Sequence, residues 1–306
     1  MSALTRGRYR KAFESVVAFL RRTPRDAAEW DAGLTDFIET LFYRGDHISV
    51  ARYALYGCAF VLDWARRSPQ CMPLAKASLK GFAKVSPQTS RDPPCLEMCW
   101  LLTKWLLRKP LVRARVLSAA FVWLAFDSYL RPSEALDLVG STVGRPRRGA
   151  VSQRWFLTIA PTGGKPAKNN TFDAGVVCGA YGRDWIEHLL RALCQKLDGP
   201  DPLLRDLSLP ILEKVFDEAS QDLGFKIVPH GLRHAGPSHD AMVHKASMVD
   251  LQCRGRWLSM ESCRIYTKPA AVLRSTALLS EQQLHEAARF SKTLPQLTIG
   301  AVQSVL

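Results

Sequence analysis

Three short runs decide how this chain is read: His230-Gly231-Leu232-Arg233-His234, then Gly255-Arg256-Trp257, then Arg264-Ile265-Tyr266. His230 and Arg233 stand three apart, so on a helix both lie on one face and can address one anion. Trp257 follows 24 residues after Arg233 with an indole N–H, and Tyr266 comes nine residues later with a phenolic oxygen. That interval suits a helical hairpin folded back on the first pair. In a basic protein, these groups compose a clamp for a phosphate with a nucleophile beside it.

The rest of the chain is basic enough for that reading. Its 306 residues carry 42 Lys and Arg against 28 Asp and Glu, a net charge of +14. A charge of this size attracts polyanions, nucleic acid first. Hydrophobic residues make up 47%, the content of an ordinary globular protein, and the length allows two domains with separate cores. The longest nearly uncharged apolar run, Val116 to Phe126, falls far short of the ~20 residues a bilayer span needs and reads as a buried core helix. Glu14 and Arg21 interrupt the segment after the basic N-terminal residues, which argues against a secretory signal. The eight cysteines include no C-x-x-C pair, so they read as reduced thiols in an intracellular protein.

Helical spacing dominates the first 86 residues. Phe13, Val16, Val17 and Leu20 mark one helix over Arg8 to Arg22, and Leu34, Phe37, Ile38 and Leu41 mark another over Asp31 to Tyr43. A third runs to about Arg66 from a cap at Ser49, and a fourth covers Pro73 to Val85. Arg21, Arg22, Arg25, Arg52, Arg66, Arg67, Lys76, Lys80 and Lys84 decorate this bundle and suit a DNA backbone. Residues 87–94 then form a linker, with three prolines among turn formers.

The second domain, 95–306, opens with helices over Cys95 to Lys109 and Val112 to Tyr129. Leu130-Arg131-Pro132-Ser133-Glu134-Ala135-Leu136 breaks the second and starts a short one. Trp155 to Ile159 and Thr171 to Val177 read as a β-hairpin around the polar turn Thr162 to Asn170. Helices resume over Tyr181 to Lys196, Ile211 to Leu223, Leu232 to Lys245, Met248 to Gly255, Ser259 to Thr267 and Glu281 to Ser291, before an apolar tail, Leu297 to Leu306. The fold class is thus mainly α with a small β-hairpin or sheet: a helical bundle followed by an α+β domain.

Arg131 in L-R-P-S-E-A-L, a lysine in a hairpin, H-x-x-R, a Trp and a Tyr, in this order, resemble the tyrosine recombinases, the phage-integrase family. The resemblance implies a SAM-like core DNA-binding domain over 1–86 and the family's catalytic domain over 95–306. It implies that Arg131 and Arg233 hold the scissile phosphate without a metal or cofactor, as fixed bidentate donors. His230 and Trp257 would be accessory donors; most relatives have histidine where Trp257 stands, and an indole cannot exchange a proton. Tyr266 would be the nucleophile, forming a 3′-phosphotyrosyl link that needs no ATP to reverse. The 5′-oxygen would take its proton from Lys165 or Lys168 in G-G-K-P-A-K-N-N, with the hairpin pattern favouring Lys165, and Glu134 would orient an arginine or lysine.

The partners implied are double-stranded DNA and three further copies of the chain in a synaptic tetramer, with no membrane. Arg-rich helices and the L-R-P-S-E variant are reminiscent of mobile-element recombinases, and a eukaryotic source would place the protein in the nucleus. A type IB topoisomerase uses a similar residue set, and a decayed, binding-only recombinase would keep the same fold. The tail from Ala287 to Leu306 is apolar enough to dock on a neighbouring protomer or in cis. Arg254, Arg256 and Arg264 add local charge that would favour a phenolate-like nucleophile, or they serve as a solvated surface. His234, His239 and His244, five apart, share no helix face and read as structural or surface residues, not as metal ligands.

Overall fold

The computed structural model describes residues 3–67, 71–86, 92–147, 149, 151, 153–162, 164, 172–195 and 197–306, except the side chains of Arg66 and Arg67. Linker residues 87–91 and both candidate acids, Lys165 and Lys168, lie outside the described residues. The chain divides into two compact units, 1–90 and 91–306.

The first unit contains α1 (Ala3–Leu20), α2 (Ala27–Tyr43), α3 (Ile48–Val61), α4 (Asp63–Arg67) and α5 (Pro73–Val85). Val16, Trp30, Leu34, Ile38, Ala51, Leu55 and Phe82 close its core. Helices α1 and α3 approach at Gly57, where a Cβ would stand 2.6 Å from the Tyr9 carbonyl oxygen. The expected third helix breaks at Leu62, and its cap is His47, whose ring accepts from the Ser49 N–H. Asp31 is buried on α2 because its carboxylate accepts from the N–H groups of Leu74 and Ala75 at 3.0 and 2.9 Å. Met72, at the N-cap of α5, supplies no side-chain bond, so Asp31 satisfies that helix end. Arg21, Arg22, Arg25, Arg52, Lys76, Lys80 and Lys84 are exposed.

The second unit surrounds α7 (Arg113–Ser128), which follows α6 (Leu96–Leu106). Every residue of α7 from Val116 to Ser128 is buried, as expected of a helix apolar on all sides. After α8 (Pro132–Leu136), β1 (Val143–Gly144), β2 (Phe156–Ile159) and β3 (Ala174–Val177) form an antiparallel sheet in the order β1-β2-β3. Phe156 pairs with Val177 and Ile159 with Ala174. β1 carries no sequence signal, being two residues long and ordered by its pairing with β2. The remaining helices are α9 (Trp185–Leu193), α10 (Leu209–Leu223), α11 (Leu232–Val243), α12 (Met248–Gly255), α13 (Met260–Tyr266), α14 (Pro269–Thr276), α15 (Glu281–Ser291) and α16 (Leu294–Val305).

Two contacts set the site's frame. α11 lies directly on α7 at Gly236, where a Cβ would fall 2.1 Å from the Phe126 carbonyl oxygen, so only glycine permits the packing. The apolar tail forms α16, which buries Leu294, Thr298, Ala301 and Val302 against α7 and α9 of its own chain. No helix among the described residues is long and apolar enough to cross a membrane.

Candidate functional site

The site forms where the end of α7, the start of α8, and α11 to α13 converge. Tyr129 ends α7 in a left-handed conformation, φ 50°, turning the chain into Leu130 and Arg131. Arg131 caps α8, and its backbone N–H donates to Glu134 at 2.9 Å while its guanidinium donates to the other oxygen of the same carboxylate. Arg233 and Arg256 also donate to Glu134, at 3.2 and 3.0 Å. One half-enclosed carboxylate therefore organises three guanidiniums. Burial would raise the pKa of Glu134, but Arg256, Arg233 and Arg131 outweigh it and hold the carboxyl below its usual range.

Arg233 has no accessible surface. Its terminal nitrogens donate to the Tyr129 carbonyl and, at 3.0 Å, to the Gly255 carbonyl. Burial pushes its pKa down to about 10; Glu134 offsets that in part, and Arg131 and Arg256 add to it. The run G-R-W is used at all three positions. A Cβ on Gly255 would meet the Trp257 ring at 2.2 Å, so the absence of a side chain lets the indole fold back over it. Arg256, left-handed at φ 56°, turns its guanidinium inward to Glu134 and the Ser128 carbonyl. Trp257 is thereby buried, with the Arg233 guanidinium 5.4 Å from its ring centre.

Tyr266, half-buried at the end of α13, stacks on Trp257 with centroids 5.0 Å apart and on His234 with centroids 4.4 Å apart. Its ring lies 5.2 Å from the guanidinium of Arg233, and exposed His230 meets it edge-on at 6.4 Å. Arg131, His230, Arg233, Trp257 and Tyr266 thus gather in one place. Two nitrogens here are buried donors with no hydrogen-bond partner among the described residues: Arg233 Nε and Trp257 Nε1. A buried donor without a partner costs about 1–3 kcal/mol, so their concentration at one site calls for a ligand that accepts.

Behind this site lies a second buried network. Arg183 donates to Asp127 at 2.9 Å and, bidentate, to Asp240 at 2.7 and 2.8 Å. Tyr129 donates its hydroxyl to Asp240, and Arg254 donates to the Asp127 carboxylate and to the Asp127 and Val177 carbonyls. These bonds tie α7, β3, α11 and α12 together.

The chain has the fold of the site-specific recombinases. The solved structure of XerH bound to difH in a pre-cleavage complex superposes with a TM-score of 0.54 at 15% identity, over 92% of this chain and 78% of that one. XerH bound to palindromic difH in a post-cleavage complex gives 0.52 at 15% identity, over 94% of this chain and 77% of that one. No family model and no curated protein matches the sequence.

Within this recombinase fold, some side chains lie where their sequence did not point. Of the two readings open to His234, structural or surface, half-burial favours the first; His230 and His234 are four apart and share the face that meets Tyr266, a spacing hidden by the five-residue rhythm of His234, His239 and His244. Arg254 and Arg256 are committed to Asp127, Glu134 and backbone carbonyls, while Arg264 is exposed. His239, Asp240 and His244 bring ligand atoms within 4.8 Å of one another, but the Asp240 oxygens already accept from Arg183 and Tyr129.

Proposed function

We propose that this chain is a site-specific DNA recombinase in which Tyr266 attacks a phosphodiester held by Arg131, Arg233, His230 and Trp257. The observation that carries the reading is the pair of partnerless donors, Arg233 Nε and Trp257 Nε1, beside a phenol and a three-arginine cluster. A phosphate supplies the acceptors those donors lack, and two guanidiniums stabilise the charge that builds on its nonbridging oxygens. The phenol gives up its proton to solvent as its oxygen bonds to phosphorus, the bond from phosphorus to the 5′-oxygen breaks, that oxygen takes a proton from Lys165 or Lys168, and the 3′-phosphotyrosyl link keeps the energy for rejoining. Because Trp257 cannot exchange a proton, it serves as a donor only. Arg233 has no accessible surface, with the Tyr266 and Trp257 ring centres 5.2 and 5.4 Å from its guanidinium, so phosphate contact with it would need the groups over it, the phenol among them, to shift. The exposed cations of the first unit would follow the DNA backbone, and four copies would act together in synapsis.

The test is covalent attachment. On nicked suicide duplexes drawn from the DNA flanking its own locus, the wild-type protein leaves a denaturation-resistant protein–DNA adduct and Tyr266→Phe leaves none. An adduct that persists in Tyr266→Phe removes the nucleophile from this position. Binding without any adduct in the wild type identifies a binding-only protein. In both cases affinity falls steeply with salt.

A further inference from the structure

Helix α11 meets the Tyr266 segment at two points one helical turn apart. The first is the His234 ring, stacked on the phenol at 4.4 Å with the planes 28° apart. The second is Ser238, four residues on and fully buried. Its hydroxyl donates to the Tyr266 carbonyl at 3.2 Å and accepts from the Lys268 N–H at 2.8 Å. Positions 234 and 238 share a helix face, and Gly236 between them lets this helix sit against the α7 backbone. One rigid helix thus carries Arg233 and also grips Tyr266 by ring and backbone.

We infer that His234 and Ser238 form a two-point cradle that positions Tyr266, the hydroxyl fixing the backbone pivot and the imidazole guiding the ring. The inference rests on the reading of Tyr266 as the nucleophile. Ser238 holds the main chain on both sides of Thr267, so a shift of the phenol off Arg233 proceeds by side-chain rotation along the imidazole face. Burial first, then Lys268, His230 and Arg233, push the His234 pKa down to about 4, with only the Ile265 backbone opposing. The imidazole is neutral at working pH and presents a flat surface without competing with the arginines for phosphate.

Two measurements test the cradle. With saturating suicide duplex, His234→Ala and Ser238→Ala form adduct ~10²-fold more slowly, the loss that results from misplacing a reacting group by about 1 Å. Their affinity for the DNA is unchanged. His234→Phe and Ser238→Thr, which keep the flat ring and the hydroxyl, restore the rate to within about threefold. If His234→Phe is as slow as His234→Ala, the imidazole acts chemically and the positioning role is overturned. The second measurement needs no cleavage: ¹⁹F NMR of the full chain carrying 3-fluorotyrosine at position 266. His234→Ala shifts and broadens the resonance, whereas His234→Phe keeps it close to the wild-type line. An unmoved resonance in His234→Ala overturns the cradle whether or not the protein cuts DNA. Absence of adduct in the wild type overturns only the functional reading.

Discussion

Two buried arginines of the second unit, Arg183 before α9 and Arg233 on α11, meet opposite fates. Arg183 donates to two carboxylates with all three of its nitrogen positions, and Asp240 and Asp127 hold its pKa above the ordinary value although burial alone would lower it. Arg233 shares one carboxylate with Arg131 and Arg256, has no partner for its Nε among the described residues, and is pushed down to about 10 by burial. The first arrangement is electrostatically complete and the second is cationic and short of acceptors. A protein tolerates the second kind where an anion completes it, and places the first kind behind it as a frame.

The sharpest way to break this comparison is to remove each guanidinium. Arg183→Met leaves buried Asp240 without a cation, with the Tyr129 hydroxyl still donating to it, and leaves Asp127 to Arg254, and is expected to cost about 3–5 kcal/mol in urea unfolding. Arg233→Met takes a donor from the Gly255 carbonyl but also relieves repulsion among three cations, and Glu134 keeps Arg131 and Arg256, so its cost stays smaller, about 1–3 kcal/mol. Its penalty falls on adduct formation, about 10²–10³-fold, as for loss of one preorganised donor to a developing oxyanion. Equal destabilisation by the two variants would mean that both arginines are structural.

Much of the frame is legible in the sequence because its signals are local. Helices α12, α13 and α15 start within a residue of their expected places, where the structure shows Ser247, Ser259 and Ser280 capping them, and the apolar run of Val116 to Phe126 can only be a buried helix. The order Arg131, His230, Arg233, Trp257, Tyr266 is likewise readable. What escapes depends on contacts between distant segments. The sequence already gives Glu134 the task of orienting an arginine, but its hold on Arg233 and Arg256, Arg183 with its two aspartates, and Ser238 beneath the Tyr266 backbone have no spacing rule to announce them. α14 escapes for a different reason: it starts at Pro269 directly after α13, without a cap side chain to mark it.

A smaller effect sharpens the claim that the Tyr266 site lacks an anion. Sulfate raises the melting temperature of many proteins through exclusion from the surface, so the informative quantity is a difference between variants. At ten times its dissociation constant, a site-bound anion adds about 1.4 kcal/mol. Wild type and Arg183→Lys are expected to gain this increment over chloride at matched ionic strength. Trp257→Phe and Arg233→Met, which remove the donors, are expected to gain only the general effect. Parallel melting curves across all four would show that nothing at this site recognises an oxyanion.

The smallest effect is in pH. Folded His234 titrates at about 4, whereas an unfolded histidine titrates near ~6.5, so between these values the unfolded chain binds the extra proton and stability falls with acid. Glu134 acts in a lower window. Its folded pKa is depressed, so its contribution is complete above the ordinary carboxylate value of about 4.3 and disappears as pH falls through the folded value. The urea midpoint of the wild type is therefore expected to decline in two successive stages from pH 7.5 to pH 3. His234→Phe makes the upper stage shallower, the rest of it belonging to His239, whose pKa burial also lowers, and Glu134→Gln makes the lower stage shallower. The slope is the readout, since either substitution also changes packing. If His234→Phe leaves the upper slope intact, the imidazole beside Tyr266 is not held neutral, and a cation there would compete with Arg233 for the phosphate.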